Sequence, residues 1–219
     1  LTPAARRLLK VFRVRADLHA QRFADRTHLK TVEPVARNVA LRRSNPNNRW
    51  VLTTNTDMIF VVKQGESLSD LVAGLPPGLY CAPRFEVPET IWEDFDRSDP
   101  ANVIEHVRHL GPRLHLNEIV HGADEILYDA PGDFQLMPRA DLFAIDGFDE
   151  QMLLGWHIDS NISKRLQLRF GLVGDAEPWV VGYHCDHTRQ ATVMHAAGGP
   201  TNCLARFVSA VESDDLPAQ

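Results

Sequence analysis

Three short stretches of this sequence hold side chains that could bind a cation or move a proton. The first is Asn55-Thr56-Asp57, an amide and a carboxylate two positions apart behind the apolar run Trp50-Val51-Leu52. A hard divalent cation, Mg2+ or Mn2+, takes oxygen ligands and commonly binds one or two carboxylates together with substrate phosphates. Asn55 and Asp57 would supply the protein's share if a diphosphate supplied the rest. The same tripeptide also suits an Asx-turn that only ends a strand. The second stretch is Gly155-Trp156-His157-Ile158-Asp159-Ser160, with an apolar spacing of four that starts at Ile158. Asp159 therefore falls in the first turn of a helix, where a carboxylate is favoured by the helix dipole and by capping. It is either a cap or a general base held over a cleft, with Trp156 as an apolar platform for a sugar ring. The third is His184-Cys185-Asp186-His187. A structural zinc site would need a second pair at finger spacing, and none is present. One imidazole, His187 or His184, closing an Mn2+ site fits better; ordinary surface or core histidines are the alternative.

Other chemistries lack their signatures. There is no G-x-S-x-G elbow for a serine hydrolase, no P-loop and no G-x-G-x-x-G turn. The histidines outside the third stretch show no ligand spacing.

The elements that must position these residues read as alternating helices and strands. Thr2-Pro3 opens a short helix as N-cap and first helical residue, and residues 10–15 alternate like a strand. A helix is predicted over 31–44, with Val32, Val35 and Val39 on one face, followed by the strand at Arg49. A short helix over 66–73 stops at Gly74, and one strand is expected over 78–85. Residues 86–131 are rich in Pro, Asp, Glu and His and read as an irregular insertion with helical patches at 89–95 and 101–110. A strand at 134–137, a helix at 139–145 and a turn at 147–150 follow. The long helix is expected from 157 to 170, with Ile158, Ile162, Leu166 and Phe170 on one face and Gly171 after its end; a strand is expected over 179–184. This order suggests an α/β protein with parallel strands.

Composition narrows the class. The 219 residues suit a single domain and carry a net charge of −6, which argues against a general nucleic-acid binder. Three widely spaced cysteines without a C-x-x-C fit a reduced compartment better than a disulfide framework. No apolar run approaches the roughly 20 residues that span a bilayer.

In order, the segments resemble a known family. Ala36-Arg37-Asn38-Val39-Ala40-Leu41-Arg42-Arg43, a turn, then Trp50 to Asp57 are similar to the "ARN, strand, D-x-D" core of GT-A glycosyltransferases, family 2 above all. Gly132-Asp133-Phe134-Gln135-Leu136-Met137-Pro138-Arg139 and Gly147-Phe148-Asp149-Glu150 resemble that family's acceptor-side strand and "GFDE" turn. Gly155 to Ser160 stands where "GWG-x-ED" is usual, and Tyr183 to His187 resembles the late histidine segment of related bacterial glycosyltransferases. The likeness runs from about residue 10 to about 195.

The resemblance implies a GT-A three-layer α/β/α sandwich with a mostly parallel sheet. Its implied activity is transfer of a sugar from a nucleotide-diphospho-sugar donor to a hydroxyl of a glycan or lipid-linked glycan, inverting and dependent on Mn2+ or Mg2+. Asp57 with His187 or His184 would hold the metal, and Arg37, Asn38 and Asn55 would contact the donor. Asp159 would be the base; Gly132, Asp133 and Trp156 would face the acceptor. A cytoplasmic protein is expected, with peripheral association at the inner face of a membrane. Three departures stand out: Asn55 replaces the first aspartate of D-x-D, Asp159-Ser160 replaces the acidic pair, and the family's first nucleotide-contacting strand is not evident, so a domain shortened at its start is expected. A non-catalytic sugar- or nucleotide-binding module and a metal-dependent hydrolase built on His184 and His187 are the rival functions.

Overall fold

In a computed structural model, the structure describes residues 2–63, 67–111, 114–118, 132–153, 155, 157–170 and 173–187. Trp156, Gly171 and residues 119–131 of the expected insertion lie outside them.

Two four-stranded mixed sheets form. The first orders β1 (Trp50–Thr53), β6 (Gln135–Pro138), β3 (Leu79–Cys81) and β7 (Val173–Asp175). The second orders β2 (Met58–Val62), β8 (Val180–Cys185), β4 (Arg84–Val87) and β5 (His115–Glu118). Only β3–β7 and β4–β8 are parallel; the other four described pairings are antiparallel, so the expected mostly parallel sheet is corrected to a mixed one. The chain crosses from the first sheet to the second three times, through residues 54–57, 82–83 and 176–179. The second crossing splits the single strand expected over 78–85. Pro83 cannot donate to a ladder, and the chain changes sheets there.

Helices cover the first sheet on both faces. Leu79, Cys81 and Met137 pack with Leu41 of α3 (Glu33–Arg43), Leu142 of α7 (Arg139–Ala144), and Ile158, Ile162 and Leu166 of α8 (Ile158–Phe170). The alternate residues Tyr80 and Leu136 face Val72 of α4 (Leu68–Ala73), as a pleat of period two requires. The second sheet packs Val61, Val87, Val181 and Tyr183 against α5 (Glu89–Trp92) and α6 (Pro100–Leu110). The described part of 86–118 is thus largely regular, because its apolar residues have a sheet to cover.

Two expectations near the start are revised. α1 (Pro3–Leu8) forms with the Thr2 cap, but residues 10–15 pair with no described strand, and Val11 and Phe12 are left exposed; α2 (Ala16–Phe23) follows. On α3 the buried face is Pro34, Asn38 and Leu41 rather than Val35 and Val39. The polar Asn38 is drawn inward because the turn after α7 supplies its partners.

Candidate functional site

The crossings between sheets place the chemistry. Asp57 ends the first, one residue before β2. In the second sheet Met58, His184 and Glu86 lie opposite one another on three neighbouring strands. The Cys185 amide donates to the Asp57 carbonyl at 2.8 Å, which pins the end of β8 beside the turn. Asp57 Oδ2 consequently lies 3.3 Å from His184 Nε2 and 3.1 Å from His187 Nε2. Those three groups offer ligand atoms that all lie within 4.8 Å of one another.

His184 is 3% exposed, and its Nδ1 donates to Glu86 Oε2 at 2.6 Å. A carboxylate accepts only, so this bond fixes the proton on Nδ1 and turns the other ring nitrogen toward Asp57. A neutral His184 then aims a lone pair at a carboxylate oxygen 3.3 Å away. Either a second ring proton on Nε2 or a cation shared between Nε2 and Oδ2 would relieve that opposition. The other oxygen of Asp57, Oδ1, is buried and has no hydrogen-bond partner among the described residues. A buried carboxylate oxygen left so costs free energy that a bound ion would recover. The carboxylate-held histidine is the usual outer support of a metal-bound imidazole. One carboxylate with two imidazoles suits Mn2+ or Zn2+ better than Mg2+, which prefers oxygen. Residues 57, 184 and 187 therefore fit a divalent transition metal.

The support continues inward as one polar chain. Glu86 Oε1 accepts from Arg84 Nε at 3.1 Å, and the Arg84 guanidinium also donates to Asp133 Oδ2. Asp133 is 3% exposed; its Oδ1 accepts from Asn55 Nδ2 at 2.6 Å. Asn55 Oδ1 accepts from Arg37 at 3.1 Å, and Arg37 Nε donates to Glu33 at 2.6 Å. An amide at 55 both donates to Asp133 and accepts from Arg37. An aspartate there would set two carboxylates against each other.

Among the described residues Asp159 makes no hydrogen bond to this chain, but it lies close enough for the charges of Glu33 and Asp133 to act on it. It sits in the first turn of α8, held by Gln135 Nε2, which donates to its carbonyl at 3.0 Å and to Ser163 Oγ at 2.8 Å. Burial pushes its carboxyl pKa up against the opposing hydrogen bond from the Ser160 amide, and the nearby charges of Glu33 and Asp133 add to the rise. A Cβ at Gly132 would come within 2.8 Å of Asp159 Cβ, so Gly132 makes room for this side chain.

Apart from Trp156, which lies outside the described residues, the expected site residues are placed as follows. Asp57, His184 and His187 converge. Asn55 and Asp133 are bonded to each other, and Gly132 lies against Asp159. Arg37 is engaged by Glu33 and Asn55 and lies over the Phe148 ring at 5.4 Å. Asn38, 2% exposed, is a clamp on the 147–150 turn: its Oδ1 accepts from the Phe148 amide at 2.9 Å, and its Nδ2 donates to the Phe148 carbonyl at 2.8 Å and to Glu150 at 2.9 Å. Glu86 and Arg84 were not singled out by spacing. Two charged residues alternating with Phe85 inside a strand are their only sequence signal.

A cavity of about 400 Å3 adjoins the three converging residues, with Asp57 and His187 on its wall. Trp92, Phe95, Met58, Ile59 and Val103 make the rest of that wall mostly apolar, and Arg97 adds one cation. Among the described residues no helix is long and apolar enough to cross a membrane. Neither a protein-family model nor a curated protein matches the sequence.

Proposed function

We propose that the protein is a metal-dependent, inverting glycosyltransferase of GT-A type, moving a sugar from a nucleotide-diphospho-sugar to a hydroxyl of a glycan or lipid-linked glycan. The observation that carries this is the meeting of Asp57 with His184 and His187, the last 130 positions away in sequence. A three-layer GT-A sandwich belongs to the same proposal, supported by helices on both faces of the first sheet. Mn2+ held by these three residues would neutralise the charge that builds on the departing diphosphate.

The chain's own groups do the rest. Asp159 accepts the acceptor hydroxyl's proton while the acceptor oxygen bonds to the anomeric carbon. The bond from that carbon to the diphosphate oxygen breaks, and its electron pair leaves with the nucleoside diphosphate. A desolvated carboxylate with a raised pKa is a stronger base for this step. Single displacement needs one such base, whereas double displacement needs two carboxylates about 5–5.5 Å apart.

The test is donor turnover with Mn2+. Transfer is expected from the wild type, with a loss of about 100-fold or more in Asp159→Asn and a comparable loss with weakened Mn2+ binding in Asp57→Ala. Full transfer by both variants refutes the mechanism. A second reading, a zinc hydrolase, is favoured by the two-imidazole, one-carboxylate set. Stoichiometric zinc with esterase or phosphatase activity would select it. Tight nucleotide binding without transfer or donor hydrolysis would select a binding module.

A further inference from the structure

The cavity beside Asp57 is used by nothing in the reaction just described. It shares Asp57 and His187 with the metal-ligand group, and has no wall residue in common with the Gly132–Asp133–Asp159 end. This inference rests on the glycosyl-transfer reading. There the acceptor and its base lie on one side of the transferred sugar, and the leaving diphosphate lies on the metal. Whatever the diphosphate carries must lie beside the metal, and the cavity opens there, with Asp57 and His187 on its wall. Its chemistry agrees. Trp92 and Phe95 offer aromatic surface, and Phe95 lies against the His106 ring in a tilted pair with centroids 5.3 Å apart. Trp92 is held by its indole N–H, which donates to the Asp186 carbonyl at 2.6 Å, one residue before His187. The exposed Arg97 lies over the Trp92 ring at 5.0 Å and adds positive charge at the cavity. A flat ring attached to an anionic diphosphate matches aromatic walls and a guanidinium beside the candidate metal ligands Asp57 and His187. About 400 Å3 lies within the size range of small-molecule pockets. Arg37 and Asn38, the donor contacts that the family resemblance implies, are occupied elsewhere, as described above.

We propose that this cavity is the nucleoside pocket of the donor, with Trp92 and Phe95 packing on the base and Arg97 pairing with the diphosphate.

Calorimetry with saturating Mn2+ tests it, using UDP, GDP, inorganic pyrophosphate and geranyl diphosphate as probes. At least one nucleoside diphosphate is expected to bind about tenfold or more tighter than pyrophosphate, the contribution of a stacked base. Phe95→Leu keeps the apolar bulk and should remove most of that margin while leaving pyrophosphate affinity in place. Arg97→Ala, at an exposed position that does not endanger folding, should weaken all diphosphates severalfold. Equal affinity for pyrophosphate and both nucleotides overturns the proposal, as does tighter binding of geranyl diphosphate. Sugar transfer with an unchanged donor KM in both Phe95→Leu and Arg97→Ala overturns the pocket assignment alone. Absence of both nucleotide binding and transfer overturns the glycosyltransferase reading with it.

Discussion

Glu86→Gln is the sharpest probe of the metal site, because the substitution keeps volume and removes one acceptor. Glu86 uses both oxygens: Oε1 accepts from Arg84 at 3.1 Å and Oε2 from His184 Nδ1 at 2.6 Å. A glutamine has one acceptor and one donor group at those places. If its oxygen keeps His184, its amide confronts the Arg84 guanidinium, donor to donor. If its oxygen keeps Arg84, its amide donates to Nδ1, and the His184 proton moves to Nε2, where a metal must bind. His184 is 3% exposed, so water does not relieve either conflict. Loss of such outer support typically costs about 10–100-fold in metal affinity, or about 1.4–2.7 kcal/mol. The assay is Mn2+ titration followed by the EPR signal of the free ion, with Asp57→Ala as the reference for a lost ligand. Far-ultraviolet circular dichroism should be unchanged. Wild-type Mn2+ affinity in Glu86→Gln, alongside lost binding in Asp57→Ala, would refute the assigned tautomer and the role of His184 as a ligand.

Asp159→Asn should separate catalysis from stability. Because burial raises the folded carboxyl's pKa, the unfolded chain ionises first as pH climbs, and stability falls across the window between the two values. Asparagine does not ionise, so the variant should melt higher than wild type at neutral pH, with the gap closing in acid, even though transfer drops about 100-fold or more. In the wild type the acid limb of kcat/KM should lie above the usual carboxylate range; a limb at the ordinary value counts against Asp159 as base. Gly147 has φ +71° and a Cβ there would sit 2.3 Å from Asn38 Oδ1, so Gly147→Ala should cost about 2–3 kcal/mol in denaturant unfolding from strain and a broken clamp. Asn38→Ala, which strips three hydrogen bonds, should cost about as much; a loss below half a kcal/mol in both would show that the clamp does not matter.

Legibility in the sequence followed the range of the signal. α8 could be read from Ile158, Ile162 and Leu166 because a helix repeats its buried face every turn, and the Thr2 cap and the Trp50 strand were equally local. Asp57, Asp159, His184 and His187 stood out singly through their types and neighbours. The meeting of Asp57 with His184 and His187 came only from the family likeness and not from the residues themselves, since it depends on β2 pairing with β8 and on Met58, His184 and Glu86 sharing one row. Glu86 and Arg84 were hidden for that reason: a strand residue's partner lies on another strand, and register is a property of the whole sheet. The strand split at Pro83 and the mixed pairing were likewise decided by where the chain changes sheets. Asn38, assigned by family likeness to the donor, turned out to serve a turn 110 positions away.

The pairing of β2 with β8 joins residues 58–62 to 180–185. No segment shorter than that span can assemble the candidate ion site, and contacts so distant in sequence close late and slowly. The candidate site therefore exists only where the second sheet has formed. A chain that lost either strand would forfeit the candidate ion site together with its second sheet.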